Sequence, residues 1–262
     1  MTVRRTANKW RLLLVPPRSG AENMGRDVAL LDRARKTREA VFSIYEWMRP
    51  TLSLGRNQIA RDQYDRDVIR SAGVDVVRRP TGGRALLHYH EVTYSVTAPV
   101  GSTSLRESYE GINRILLNGL ARLGVDASVA TGGAMEAPGP VPCFSDPAAG
   151  ELVVNGRKLV GSAQLRDGGA FLQHGSILIE DDQGFISQLM LGRASNGSVP
   201  GAATLSSILA RKPRINEVSN ALFDAVRHLE DQEAEHLSED EVRADCLVRA
   251  REFENELWTW RR

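Results

Sequence analysis

The chain has 262 residues, 42% of them hydrophobic, which is enough to bury one substantial core in one main domain. Its 34 lysines and arginines nearly cancel its 33 aspartates and glutamates, so the charge indicates neither nucleic-acid binding nor attraction to an anionic membrane. No apolar run is long enough to cross a bilayer, and residues 1–11 lack the apolar segment of a signal peptide. Two distant cysteines, Cys143 and Cys246, do not form a disulfide framework, so we expect a cytoplasmic protein.

The first half of the chain alternates helices with short extended segments. Apolar residues at helical spacing predict a helix over 21–34, and a weaker pattern predicts a polar helix over 61–72. Ser104 and Glu107 form a capping-box pair at the start of a third helix, which ends before Gly124. β-branched and aromatic residues predict strands at 41–47, 51–55, 74–79, 85–88 and 92–97. We expect the last three of these strands to form the centre of the sheet.

The second half begins with a loop over 131–149 that is rich in Gly, Pro and Ala. Asn155-Gly156 then joins two short strands, because this dipeptide readily adopts the two positive φ angles of a type I′ hairpin turn. Another strand is predicted over 171–180, and a helix from about 215. A second capping box, Ser238 with Glu241, starts a last helix whose inward side is predicted to carry Val242, Cys246, Ala250, Phe253 and Leu257. These mixed elements predict an α+β fold, with a mixed, mainly antiparallel β-sheet flanked by helices.

Two of the segments that stand out contain glycine or cysteine in an unusual setting. Gly82 and Gly83 follow the basic end of a strand, where the missing Cβ lets backbone N–H groups approach a ligand, although a glycine pair alone is more often a tight turn. Cys143 lies in a loop between Pro142 and Phe144, which fits either a reactive thiol or an incidental small residue.

The third segment contains Lys158, just after the hairpin turn and between hydrophobic and glycine residues. A lysine is usually a solvated surface charge, and the alternative is an ammonium that faces a site, stabilises a thiolate and polarises an acyl carbonyl. His88 and His90, two apart on a strand, would share a face and with His174 could bind a metal. We predict no metal site, because no cluster with zinc-ligand spacing accompanies them.

Taken together, these motifs resemble the signatures of the biotin and lipoate ligase and lipoyl transferase superfamily. The segment 78–88 reads RRPTGGRALLH and is followed by EVTYSV; further on come GRK, GSAQ and LQHGS in the family's order. Weaker similarity covers most of the chain. The resemblance implies a mixed sheet with helices on one side, a catalytic domain over 1–212 and a helical C-terminal extension over 213–262 packed on it.

Within that superfamily, a cysteine in a loop ahead of the lysine hairpin is similar to the octanoyltransferases that use a cysteine nucleophile. The resemblance implies octanoyl transfer from acyl carrier protein, through a thioester on Cys143, to the lysine of a lipoyl domain or a glycine-cleavage H-type protein. It implies no cofactor, and we expect a monomer that binds neither nucleic acid nor membrane. The implied catalytic residues are Cys143 and Lys158. The implied substrate-binding residues are Arg78, Arg79, Thr81, Gly82, Gly83, Ala85, His88, Gly161, Ser162, Ala163, Gln164, His174 and Gly175.

Three alternatives remain open at the level of sequence. An ATP-dependent lipoate-protein ligase would hold an acyl-adenylate and leave Cys143 idle, although such ligases commonly have a third glycine where this chain has Arg84. An amidotransferase that moves octanoyl between lipoyl domains would use the same nucleophile. A non-catalytic module that binds acyl groups or carriers would show neither a covalent intermediate nor turnover.

Overall fold

The computed structural model describes residues 9–101, 104–131, 148–192 and 201–262. The strands in these ranges are β1 (Trp10–Arg18), β2 (Ala40–Trp47), β3 (Thr51–Leu54), β4 (Asp75–Arg78), β5 (Leu86–His88), β6 (Glu91–Pro99), β7 (Ser128–Val129), β8 (Leu152–Val154), β9 (Arg157–Asp167), β10 (Ala170–Leu178) and β11 (Glu235–His236). The helices are α1 (Gly20–Thr37), α2 (Arg66–Ser71), α3 (Leu105–Arg122), α4 (Leu205–Leu209), α5 (Ile215–Leu229), α6 (Arg243–Phe253) and α7 (Glu256–Thr259). None of the helices in the described ranges has the length and apolar character that a membrane span requires.

Eight strands form the main sheet, in the order β11-β1-β2-β6-β10-β9-β8-β7. The pairs β11-β1 and β1-β2 are parallel, and the other five pairs are antiparallel. A separate three-stranded sheet has the order β4-β3-β5. The prediction of a mixed, mainly antiparallel sheet is therefore confirmed.

Helices cover both faces of the main sheet. Ile112 and Leu116 of α3 and Leu222 of α5 belong to the core on one face, together with strand residues such as Phe42 and Tyr94. On the other face, Met24 and Leu30 of α1 pack with strand residues such as Tyr45 and Trp47, and α6 packs behind α1. The expectation of helices on one side only is therefore wrong. Five residues of α3 and α5 that interdigitate at the first face, Ile112, Ile115, Leu116, Val218 and Leu222, are all at most 3% exposed.

Several local predictions are confirmed. Ser104 and Glu107 form both hydrogen bonds of a capping box at the start of α3. Asn155 and Gly156 have φ angles of 50° and 72°, as a type I′ turn requires, and they join β8 to β9. The capping box of Ser238 is also present, but it begins a short 3₁₀ turn before α6.

Other local predictions are wrong. The predicted helix over 61–72 is reduced to α2, because Asp65 caps it and the residues before it form turns. The strands β4 and β5 belong to the small sheet, so only β6 of the three predicted central strands lies in the main sheet. Leu257 is 82% exposed on α7 and does not point inward. The strand β1 is not among the predicted strands, because its sequence contains Pro16-Pro17 and lacks a regular alternation.

Candidate active site

A cavity of about 1140 Å³ lies next to β9 and β10 and reaches both faces of the main sheet. Side chains alternate between the faces of a strand, and paired residues on neighbouring strands share a face. His174 therefore faces α1, whose Asp27 it contacts, whereas the adjacent Gly175 pairs with Ser162 on the α3 face. Both His174 and Ser162 line the cavity. Val160 is the last residue of β9 that pairs with β8. The cavity lies beside the following residues of β9, 161–164, which have no β8 partner.

The α1 side of the cavity is enclosed and largely apolar. Met24, Tyr45, Trp47 and Leu86 line it, and each is at most 7% exposed. Among them lies the imidazole of His88, stacked on Trp47 with 4.0 Å between ring centroids. Burial lowers the pKa of His88, so this ring favours the neutral form. An apolar chain entering this side would leave water for a closed, mostly hydrocarbon environment.

The α3 side of the cavity is polar and opens to solvent at Arg106, Glu110 and Arg114. A buried ion pair also lines the cavity, with 2.6 Å between Lys158 Nζ and Glu151 Oε1 and side chains that are 2% and 8% exposed. The other carboxylate oxygen of Glu151 accepts a hydrogen bond of 2.8 Å from the backbone N–H of Ala148. Glu151 therefore connects the lysine to the chain just after the segment that contains Cys143.

The glycine turn, residues 81–83, is held by the guanidinium of Arg79. Arg79 Nη2 donates to the carbonyl oxygens of Gly82 and Arg84, and Nη1 donates to that of Ser53. Gly83 has a φ of +100°, which an L-residue adopts only with strain. A Cβ on Gly82 would meet no atom of the described residues within 4 Å, and Gly82 lines the cavity. The pair thus forms the tight turn that is one of the two sequence interpretations, and it also lines the cavity.

A hydrogen-bonded chain anchors this turn to β10. Thr81 Oγ1 lies 2.6 Å from His174 Nε2, and His174 Nδ1 lies 2.8 Å from Asp27 Oδ2. The same Asp27 oxygen accepts from the hydroxyl of Tyr45. Burial and the neighbouring Asp27 raise the pKa of Tyr45, so its hydroxyl stays protonated and keeps donating. His174 is in this way fixed at both ring nitrogens while its ring lines the cavity.

The structure brings most of the predicted site residues to this one cavity. Eleven of them line it: Arg79, Gly82, Gly83, His88, Lys158, Gly161, Ser162, Ala163, Gln164, His174 and Gly175. Thr81 lies behind His174, and Ala85 packs in the core of the small sheet instead. Cys143 lies outside the described residues. His90, which was expected to share a face with His88, lies in the turn after β5 with its Nδ1 3.3 Å from Asp182.

Arg78 does not line the cavity. It is fully buried and donates to the carbonyl oxygens of Gly55, Gln58 and Thr259. Burial, followed by the charges of Arg261 and Arg262, lowers its pKa to about 10. Arg78 therefore ties the segment before the glycine turn to the C-terminal residues.

Sequence reasoning did not single out Glu151, Trp47, Tyr94 or Gln173. Glu151 and Trp47 line the cavity, and Tyr94 and Gln173 support its wall through side-chain hydrogen bonds. The signal for Glu151 was a carboxylate at the start of a buried strand, a position where an acidic residue usually needs a cation. The roles of the other three depend on strand pairing that local sequence does not specify.

The fold and the site together define a catalytic domain of the lipoate-ligase kind, with a paired-glycine turn and a buried lysine facing one cavity. The sequence model of the family described as "Lipoyl protein ligase A/B catalytic domain" matches residues 19–227, and the chain belongs to this family.

Several relatives of the chain carry the name Octanoyltransferase LipM. The one from Carboxydothermus hydrogenoformans is 46% identical over 178 residues, an alignment that covers 66% of this chain and 66% of that protein, just under two thirds. The one from Anoxybacillus flavithermus is 32% identical over 273 residues, covering 97% of this chain and 98% of that protein.

Two solved structures share the fold along nearly their whole length. A lipoate-protein ligase A bound with ATP has a TM-score of 0.75 and 23% identity, covering 96% of this chain and 98% of that one. The bi-partite lipoate protein ligase of Thermoplasma acidophilum has a TM-score of 0.74 and 21% identity, covering 96% of each chain. At these identities the likeness shows the fold alone.

Proposed function

We propose that this chain is an octanoyltransferase of lipoate biosynthesis, which moves octanoyl from acyl carrier protein to a carrier-domain lysine through a thioester on Cys143. The relatives named Octanoyltransferase LipM, one of them similar over nearly the full length, support this activity. One observation of the structure carries the site assignment. The buried Lys158 lines the same cavity as Ala130 and Ala148, which flank the segment that contains Cys143.

In the first step of the proposed reaction, the Cys143 thiolate attacks the carbonyl carbon of the octanoyl thioester. A new carbon–sulfur bond forms to Cys143, and the bond to the pantetheine sulfur breaks, so that the negative charge passes to the pantetheine sulfur, which leaves as a thiolate. One thioester replaces another of similar energy, so the step needs no ATP. The Lys158 ammonium, which is paired with Glu151, would stabilise the thiolate and the developing negative charge on the carbonyl oxygen.

In the second step, the amine of the acceptor lysine attacks the same carbonyl carbon. A carbon–nitrogen bond forms, the bond to Cys143 breaks, and the proton given up by the amine balances the thiolate that leaves. An amide is more stable than a thioester, so this step is downhill. The acceptor would be a lipoyl domain or an H-type carrier protein.

The octanoyl chain would occupy the α1 side of the cavity. Leu86 and Ala163 line the cavity, whereas Ala85 does not. Burying seven carbons contributes about 6 kcal/mol at roughly 0.8 kcal/mol per carbon, which favours medium chains over short ones.

The proposal also covers the oligomeric state, the compartment and the domain organisation of the chain. The chain acts as a monomer in the cytoplasm, a reducing compartment that suits a protein with two cysteines. Residues 1–212 form the catalytic domain, and residues 213–262 form a helical extension. In support, α6 packs on α1, and the carbonyl oxygen of Thr259 accepts from Arg78.

The test is the intact mass of the protein after incubation with octanoyl-acyl carrier protein without ATP. The expected result is one octanoyl adduct that maps to Cys143, is removed by hydroxylamine, and is missing in Cys143→Ser. ATP-dependent modification of a lipoyl domain that survives Cys143→Ala would instead establish a ligase. An adduct formed from an octanoylated lipoyl domain, and not from acyl carrier protein, would establish an amidotransferase.

A further inference from the structure

Three residues in register across β6, β10 and β9 form a row on the α3 face of the main sheet. Tyr94 pairs with Gly175, and Gly175 pairs with Ser162. The Tyr94 hydroxyl reaches past Gly175 to Ser162, with 2.7 Å between the two oxygens. A Cβ on Gly175 would lie 2.8 Å from Tyr94 Cε1 and 2.9 Å from Ser162 Oγ. Glycine at this position therefore makes the contact between the two hydroxyls possible.

A second pair, one step along the same face, completes a hydrogen-bonded chain. Gln164 pairs with Gln173 across β9 and β10, and Gln164 Nε2 donates to Gln173 Oε1 at 2.8 Å. Gln173 Nε2 in turn donates to the Tyr94 hydroxyl at 2.9 Å. Tyr94 and Gln173 are both completely buried, whereas Ser162 and Gln164 line the cavity. The chain thus has a buried middle and two ends that face the cavity.

The direction of the hydrogen bonds along this chain determines which end presents a donor to the cavity and which end presents an acceptor. Because the Tyr94 oxygen accepts from Gln173, its own hydrogen is available for Ser162 Oγ. Burial raises the pKa of Tyr94, which keeps that hydrogen in place. Ser162 then directs its hydroxyl hydrogen into the cavity, while Gln164 presents its carbonyl oxygen. Reversing every bond would exchange the two roles and still leave one donor and one acceptor.

A donor and an acceptor on alternate residues of one strand match a secondary amide. Alternate residues on a strand lie about 7 Å apart. The hydrogen-bond partners of a trans amide lie roughly 8 Å apart, because its C=O and N–H point in opposite directions. A simple alkyl group offers neither atom, and a carboxylate offers acceptors only. The two ends therefore fit an extended arm that contains an amide.

We propose that Ser162 and Gln164 bind one secondary amide of the pantetheine arm that carries the acyl donor, and that Tyr94 and Gln173 are positioning residues for this pair. The inference rests on the proposed function, since it concerns the thiol on which octanoyl arrives. Ser162 donates to the amide carbonyl, and Gln164 accepts from the amide N–H. The site lies on the α3 side, which is the side open to solvent and to a carrier protein.

The experiment compares two octanoyl thioesters of equal shape, one of N-acetylcysteamine and one of 2-mercaptoethyl acetate. The second has an ester oxygen where the first has the amide N–H. For the wild-type chain we expect kcat/KM for Cys143 acylation to be about fivefold to tenfold higher with the amide, the effect of one hydrogen bond. Gln164→Met should reduce this ratio to about one, and Tyr94→Phe should reduce it at least partly while keeping the aromatic ring.

A matched control is Ser176→Ala, which removes a hydroxyl from the α1 side of the same cavity. It should leave the ratio between the two thioesters unchanged. If the four residues only stabilise the fold, Tyr94→Phe and Gln164→Met will slow both thioesters equally and the ratio will stay, which overturns the proposal. A wild-type ratio of one also overturns it while leaving the proposed function intact, because both thioesters still acylate the protein.

Two further outcomes are equally decisive. If neither thioester nor octanoyl-acyl carrier protein acylates Cys143, the proposed function fails, and the inference fails with it. If Gln164→Met raises KM for the acceptor domain and leaves the ratio between the two thioesters unchanged, the pair binds a peptide amide of the acceptor, and the assignment to the donor is overturned.

Discussion

Replacing Lys158 with methionine should destabilise the protein and also abolish octanoyl transfer. A second substitution at Glu151 separates the effect on stability from the effect on the reaction. Methionine preserves most of the side-chain volume but leaves the Glu151 carboxylate buried without the ammonium that lies 2.6 Å away. Removing one partner of a buried ion pair typically costs 3–5 kcal/mol, because the remaining charge is uncompensated.

The structure places the expected cost at the lower end of this range. Glu151 is 8% exposed at its side chain and keeps the hydrogen bond from the Ala148 backbone, so its carboxylate is not left entirely without partners. We therefore expect Lys158→Met to lower the free energy of unfolding by about 3 kcal/mol. For a chain of this size that corresponds to a fall in Tm of roughly 6 to 12 °C.

The double variant Lys158→Met with Glu151→Gln removes both charges and serves as the control. Its free energy of unfolding in urea should return to within about 1 kcal/mol of wild type, because no buried charge remains. Its rate of Cys143 acylation should stay as low as that of Lys158→Met. If acylation recovers together with stability, the ammonium has no part in the chemistry. If Lys158→Met unfolds at the wild-type urea concentration, the pair does not contribute as a buried ion pair.

Two further predictions concern the glycine turn and the second cysteine. Gly83→Ala should lower the free energy of unfolding by about 1–3 kcal/mol, because the φ of Gly83 is +100°. Gly82→Ala should leave stability nearly unchanged and slow acylation by filling the cavity. Urea titration and acylation rates check both expectations, and equal destabilisation by the two variants would contradict the turn geometry. Burial raises the pKa of Cys246 to about 11, so iodoacetamide should leave this thiol unmodified in the folded protein at pH 8 and react with it only as the pH approaches 11. Peptide mass analysis measures the modification. Labelling of Cys246 at pH 8 without unfolding would refute this prediction.

Local signals in the sequence were sufficient where the structure depends on neighbouring residues. The capping box of Ser104 and Glu107 and the turn at Asn155-Gly156 each need only a few adjacent side chains, and both predictions are confirmed. The placement of β4 and β5 in a second sheet could not be predicted in this way, because it depends on the pairing of both strands with β3, which is distant from them in sequence. Hydrophobic alternation identifies a strand but does not identify the strand that pairs with it.

The same distinction applies to the site. Its glycines and Lys158 could be found because they occur in short motifs whose spacing the family shares. Glu151 could not be assigned a partner from sequence, since its contact with Lys158 depends on a bulge in the pairing of β8 with β9. Tyr94 and Gln173 look like ordinary buried strand residues, and they gain significance only because register places their polar atoms between two residues that line the cavity.

The shape of the cavity also bears on why the proposed reaction would use a covalent intermediate. Its exposed charged residues, Arg106, Glu110 and Arg114, are on the α3 side, whereas Met24 and Trp47 close the α1 side. In the proposed reaction an acyl chain on the closed side would have its carbonyl toward the open side, and the donor and acceptor carriers would both approach from there. Two folded carriers cannot present their reacting groups to one carbonyl through the same opening at once. A thiol that holds the acyl group while one carrier leaves and the other arrives resolves this conflict, and it does so without a nucleotide.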